Sequence, residues 1–101
     1  MKEKEVIFSL WWENDLPVEY VEAMEEWAKA EGFQQCRYNA IAREFEFKGW
    51  VVYGVRSDLK EISKKVMADL WQWAQPLGVP PPLDGMANVV ERGEELAYWH
   101  P

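Results

Sequence analysis

The sequence predicts an α+β domain in which two helices cover one face of an antiparallel sheet. Alternating apolar residues predict strands at 6–12 and within 43–57. Apolar residues at helical spacing predict helices at 17–31 and 58–77. A chain of 101 residues can bury one hydrophobic core but not two, so the whole chain, 1–101, is predicted to form a single domain.

The first strand and the first helix follow one another directly. The strand, Val6–Trp12, is apolar on both faces, which is typical of a central strand. Glu13–Asp15 offers N-cap residues, and Pro17 suits the first helical turn because its missing N–H needs no partner there. The helix is predicted to run to about Glu31, with Gly32 just beyond its end. Its apolar stripe comprises Tyr20, Val21, Met24, Trp27 and Ala28.

The centre of the chain, Arg43–Ser57, is predicted to form two strands joined by a turn at Lys48 and Gly49. Phe45 and Phe47 alternate with acidic residues, as in a half-buried strand. An odd-length loop would keep both phenylalanines on the same face as the later apolar residues, whereas a two-residue turn would separate them. We prefer the odd-length loop because it buries more apolar side chains on one face. The later apolar residues are Val51, Tyr53 and Val55.

Helix two is predicted from its start signal, its stripe and its end. Ser57 and Asp58 are N-cap residues, and Glu61 follows Asp58 at the spacing of a capping box. Pro76 and Gly78 end the helix. The predicted apolar stripe comprises Leu59, Ile62, Val66, Leu70, Trp73 and Leu77.

The remaining segments complete the fold. Residues 33–41 fit either the start of a strand or a loop, and Met86–Val90 is predicted to be the last strand. The resulting order, strand, helix, strand, strand, helix, strand, is the ferredoxin-like βαββαβ arrangement. The domain core would then extend from about residue 5 to 91, and 92–101 would be a short extra strand or a tail. The expected core residues are Phe8, Met24, Phe45, Phe47, Tyr53, Ile62, Val66 and Leu70.

Composition limits the classes of partner. The net charge is −7, and 11 of the 18 acidic residues lie between Glu3 and Glu46, so the surface repels nucleic acid and anionic membranes and attracts basic proteins. No apolar run approaches the roughly 20 residues that span a bilayer, and the charged N-terminus is unlike a signal peptide. A single cysteine, Cys36, suits a reducing compartment. The prediction is a cytoplasmic protein.

No motif indicates an enzyme, a metal site or a cofactor. One cysteine and one histidine, Cys36 and His100, are too few for zinc, and they form the only Cys/His pair that could support nucleophilic catalysis. Lys48-Gly49-Trp50 is similar to the third strand of an RNA-recognition motif, but Val52 and Val55 stand where that motif has aromatic residues. We therefore predict no catalytic residues, no metal and no direct contact with nucleic acid.

Two surfaces are predicted to bind a protein. Helix one carries an acidic face, which would steer a basic partner into contact. The sheet face away from the helices would expose Trp11 and Trp50, which could anchor that partner or support a homodimer. The predicted acidic binding residues are Glu19, Glu22, Glu25 and Glu26.

Two segments resemble one known family. Trp27–Phe33, the sequence WAKAEGF at the end of the acidic helix, and Leu83–Met86 near the last strand are similar to the regulator of ribonuclease activity B family, acidic inhibitors of ribonuclease E. That family tends to carry an aromatic residue and a tryptophan where this chain has Leu83 and Met86. Small acidic phage inhibitors of host nucleases, including anti-CRISPR proteins, have a similar general appearance.

The resemblance implies an inhibitor that binds a protein. Together with the acidic surface, it predicts a small non-enzymatic module that regulates a basic nucleic-acid-handling protein, such as a nuclease. The alternative is a regulatory domain that binds a small ligand or single-stranded RNA on the open face of its sheet.

Overall fold

The computed structural model describes residues 2–54 and 58–101 as a five-stranded antiparallel sheet with two helices against one face. The strand order is β2-β3-β1-β4-β5, which is compatible with a ferredoxin-like fold. The fifth strand, next to β4 at the sheet edge, makes the strand count and order differ from a plain βαββαβ unit. The strands are β1 (Lys2–Trp11), β2 (Gln34–Asn39), β3 (Glu44–Tyr53), β4 (Asp84–Val89) and β5 (Glu94–Trp99). The helices are α1 (Val18–Ala30) and α2 (Leu59–Ala74), which continues as a 3₁₀ turn over Gln75–Leu77.

β3 is one uninterrupted strand, so the prediction of a turn at Lys48-Gly49 was wrong. It pairs with β1 over ten positions, from Lys2↔Tyr53 to Trp11↔Glu44. Gly49 serves packing: a Cβ there would lie 2.7 Å from Cδ1 of Phe33, so glycine leaves room for that ring. The predicted ribbon also included Val55 and Ser57, which lie outside the described residues.

The predicted inward face of β3 is confirmed. Phe45, Phe47 and Val51 are buried, whereas Trp50 and Val52 are exposed. An unbroken strand alternates its side chains with period two, so it keeps the odd-numbered residues together just as an odd-length loop would. The inward face of β3 was therefore predicted correctly, although the turn on which that prediction relied does not exist.

The hairpin lies earlier in the chain than predicted, between β2 and β3. Its turn is held by the side chain of Asn39, whose Oδ1 accepts hydrogen bonds from the backbone N–H of Ile41 and of Ala42. Arg43 then takes a left-handed conformation with φ 55°, and its carbonyl accepts the backbone N–H of Trp12 at 3.0 Å. Of the two alternatives for 33–41, the strand is therefore the one observed.

α1 forms as predicted except at its cap. Pro17 is the N-cap residue, while Asp15 instead accepts hydrogen bonds from the backbone N–H of Leu16 and the hydroxyl of Tyr38. At the other end Gly32 has φ 92°, which closes the helix in the left-handed conformation that glycine favours. The buried residues of the helix are Val21, Met24 and Ala28.

α2 is rotated about its axis by roughly 60° from the predicted stripe, at 100° per residue. Asp58 caps it by accepting the backbone N–H of Lys60 at 2.9 Å. The rotation follows from the sheet beneath: a Cβ on Gly85 would lie 2.9 Å from Sδ of Met67, so Met67 fills the space that glycine leaves. The buried residues of α2 are Ser63, Met67, Leu70 and Ala74.

Aromatic rings fill the space between the sheet and the helices. Phe8 stacks on Phe47 with ring centroids 5.0 Å apart, and Phe33 meets Phe47 edge-on at 4.9 Å. Most of the predicted core is confirmed, whereas Ile62 and Val66 lie at its margin and Tyr53 is only partly buried. The predicted residues found fully buried are Phe8, Met24, Phe45, Phe47 and Leu70.

Candidate protein-binding site

Three of the four predicted acidic residues form one outward stripe on α1. Glu19, Glu22 and Glu26 are exposed, and their spacing of three and four residues puts them on one side of the helix. Glu25 is half-buried and lies toward β2, where its negative charge reaches the Cys36 thiol. The helix thus presents its carboxylates away from the sheet.

Five acidic residues elsewhere in the described chain form ion pairs, whereas these four carboxylates do not. Within the described ranges, no lysine, arginine or histidine lies within ion-pair distance of any of the four. Unpaired carboxylates keep their full field in solvent, so this helix is a concentrated source of negative potential. Paired acids elsewhere are Glu46 with Arg37, Glu61 with Lys64, Asp69 with Lys65, Asp84 with His100, and Glu91 with Lys4.

The structure does not bring Trp11 and Trp50 to the acidic helix. Both side chains project from the sheet face opposite the helices, because the intervening positions of β1 and β3 face the core. Trp50 stands opposite Glu5, six residues before Trp11 on β1, so the two indoles are about 20 Å apart along the strand. A single flat partner cannot contact α1 and these tryptophans together.

Trp11 is engaged within the sheet. It stands opposite Glu44 on β3. Burial raises the pKa of the Glu44 carboxyl and repulsion from Glu46 raises it further, whereas hydrogen bonding from Trp11 and the positive charge of Arg37 lower this pKa by less. Trp50 differs: it is 60% exposed and lies where β2 no longer runs beside β3.

Two exposed apolar residues near the acidic helix were missed by sequence reasoning. Trp73 and Leu77 were predicted in the buried stripe of α2, yet they are 37% and 49% exposed because of the helix rotation. The ring of Trp73 lies 6.4 Å from that of Trp27 on α1, and Tyr20 at the start of α1 approaches Gly78 just after Leu77. The signal that could have found them is the content of seven tryptophans, more than a domain of this size can bury.

The Cys/His pair is separated by the fold. Cys36 lies on β2 and His100 just after β5, at opposite edges of the sheet, about 19 Å apart at four strand spacings. Burial raises the pKa of the Cys36 thiol, which lowers its thiolate fraction at neutral pH. His100 instead contacts Asp84, with 3.0 Å between Nδ1 and Oδ1. The pair cannot act as a nucleophile and its base.

The described residues also bear on metal, small-ligand and membrane sites. Across 2–54 and 58–101, no three His, Cys, Asp or Glu side chains are grouped so that they could hold a metal ion. The open sheet face has a shallow groove of about 400 Å³, lined by residues that include Ile7, Lys48 and Asn88. Neither helix of the described chain is long and apolar enough to cross a membrane.

No protein-family model matches this chain, and no curated protein or solved structure is detectably similar to it.

Proposed function

We propose that this protein is a small, acidic, ferredoxin-like, non-enzymatic module that binds a basic protein through α1 and the adjoining end of α2. The observation that carries the proposal is the stripe of unpaired carboxylates beside exposed Trp73 and Leu77. Charge complementarity selects the class of partner, because four carboxylates that have no ion-pair partner among the described residues attract a surface rich in lysine or arginine.

The two parts of this surface would have different roles. The carboxylates would accelerate association, since their field reaches about 8 Å at physiological salt. Trp73 would hold the complex, because a tryptophan that is supported from behind loses little freedom on binding. Trp27 supplies that support, with its ring centroid 6.4 Å from that of Trp73.

The partner would be a nucleic-acid-handling protein of the cytoplasm, such as a nuclease. Proteins that bind nucleic acid carry basic surfaces, and an acidic module can occupy such a surface in place of the phosphates. The resemblance of Trp27–Phe33 to ribonuclease inhibitors supports the same class, since most of this segment ends the acidic helix. An anti-CRISPR role belongs to the same proposal.

A second candidate function is binding of a small ligand or single-stranded RNA on the open sheet face. The groove beside Ile7 and Lys48 favours it, together with the exposed ring of Trp50 two residues further along β3. Glu5 directly opposite Trp50 and the net charge of −7 oppose an RNA ligand, so a cationic or neutral ligand suits this face better.

The test begins with a pull-down from the native host, read by mass spectrometry, and continues with association rates for the partner found. Replacing Glu19, Glu22, Glu25 and Glu26 by Gln should slow association at low salt by more than about tenfold, and the difference should shrink at high salt. The matched control makes the same charge change at exposed acids away from α1, namely Glu3, Glu13, Glu94 and Glu95. Equal rates for the two variants would refute capture by α1.

A further inference from the structure

The central two strands extend beyond the rest of the sheet. β1 and β3 pair over ten positions, but β2 reaches along β3 only as far as Lys48. Phe33 packs against Gly49, and beyond it the outer edge of β3 from Trp50 to Tyr53 has no neighbouring strand among the described residues. This edge is a place where a further strand could be added.

The hydrogen-bond pattern shows which backbone groups point outward there. The carbonyl of Glu5 accepts the backbone N–H of Val90 at 2.9 Å. The backbone N–H and C=O groups of odd-numbered residues of β1 therefore point to β4, and those of even-numbered residues point to β3. Even-numbered residues of β1 oppose odd-numbered residues of β3, which are thus bonded to β1. The N–H and C=O groups of Trp50 and Val52 point to the outer edge.

This edge lacks the features that protect the other edges of the sheet. β2 is irregular between Gln34 and Arg37, and β5 carries Glu94 and Glu95. Bulges and charges of this kind discourage strand pairing. The edge segment 49–53, GWVVY, contains no charge, no proline and no irregularity in its pairing with β1. Its composition favours pairing with another strand.

We propose that a second copy of this chain pairs with this edge, antiparallel and about a two-fold axis at Val51. Trp50 then stands opposite Val52 of the second copy, and each of the two such pairs exchanges both of its backbone hydrogen bonds. The arrangement satisfies all the outward backbone groups of Trp50 and Val52 in both copies. It also places an aromatic ring against a β-branched side chain on each side of the axis, a favourable cross-strand pair.

Charge favours a second copy over a basic protein at this position. The edge strand itself is uncharged, so it offers a basic peptide nothing to pair with. Glu3 and Glu5, which stand opposite Val52 and Trp50, lie on β1, one strand behind the edge. In the paired arrangement the acids of the two copies are three strand spacings apart, about 14 Å, which exceeds the screening length of about 8 Å. Repulsion between these carboxylates of the two copies is therefore small.

Sedimentation of the full chain from micromolar to millimolar concentration tests the proposal. The wild type should form dimers as concentration rises, and Val52→Lys should weaken self-association by more than about tenfold, because an edge lysine opposes strand pairing. The matched control is Ile41→Lys, which adds the same charge at a 96% exposed apolar residue in the β2–β3 turn; it should dimerise like the wild type. A wild type that stays monomeric at millimolar concentration, or a Val52→Lys protein that dimerises equally, would overturn the proposal.

Amide hydrogen exchange of the wild type gives a second test that needs no variant. The N–H groups of Trp50 and Val52 should gain protection as concentration rises, whereas the N–H of Val51, bonded to β1, should be protected at every concentration. Exchange at Trp50 and Val52 that does not change with concentration would show that any dimer uses another surface.

Discussion

Replacing Gly49 by alanine tests the close contact between β3 and Phe33. The new Cβ would lie 2.7 Å from Cδ1 and 3.3 Å from Cε1 of the Phe33 ring, so the ring must move. It has little room, because it also packs against Phe8, Trp27 and Phe47. Overpacking of this kind costs about 1–3 kcal/mol, and exchanging glycine for alanine in a regular strand returns about 0.5–1 kcal/mol. We expect a net loss of about 1–2 kcal/mol in the free energy of unfolding.

Urea unfolding of four proteins measures this coupling: the wild type, Gly49→Ala, Phe33→Val and the double variant. Valine has no δ or ε atoms, so in the Phe33→Val background the added Cβ should be harmless or slightly stabilising. The coupling energy should then exceed about 1 kcal/mol, as for residues in direct contact. Additive effects would refute the contact. A Gly49→Ala protein more stable than the wild type would do the same, since it would show that position 49 has space.

Three further predictions concern stability. Phe47→Ala should cost about 3–5 kcal/mol in urea unfolding because the ring is fully buried; a loss below about 1 kcal/mol would contradict the observed facing of β3. Ser63→Ala should stabilise by about 1–2 kcal/mol, because no described residue hydrogen-bonds the buried Ser63 hydroxyl; a loss of stability would reveal a partner. The fold raises the pKa of Glu44, so the folded protein holds this proton more tightly than the unfolded chain does. The contribution of Glu44 to the free energy of unfolding is therefore complete below the ordinary pKa of 4.5 and is lost as pH rises through the raised pKa. Glu44→Gln should thus raise the melting temperature at pH 7 but not below that range, and an equal gain at both pH values would point to a cause other than charge.

The acidic surface of α1 and the proposed dimer contact at the outer edge of β3 can be tested separately. The carboxylates of α1 lie on the helix side of the sheet, whereas Trp50 and Val52 project from the open face. The two sets of substitutions share no residue. Loss of partner binding in the α1 variant therefore tests the proposed function, and loss of dimerisation in Val52→Lys tests the dimer. A protein that dimerises through β3 would carry two acidic helices, which would raise its avidity for a partner with repeated basic sites.

Local patterns in the sequence were enough to predict most of the secondary structure. Helix one, with its buried stripe and its glycine end, follows from spacing and conformational preference that act within a few residues. The facing of β3 follows from alternation alone, and so does the placing of Trp11 and Trp50 on the face away from the helices. The concentration of acids on α1 is a property of composition that the fold keeps at the surface.

Tertiary contacts decided the rest. Lys48-Gly49 is typical of a turn, yet the chain stays extended there because pairing with β1 over ten positions outweighs a local preference, and because Gly49 makes room for Phe33. The facing of α2 depends on Gly85, twenty-two residues from Ser63 along the chain, which leaves space for Met67 and so turns Trp73 toward solvent. Periodicity finds the apolar side of a helix, but the shape of the sheet beneath it selects which residues are buried.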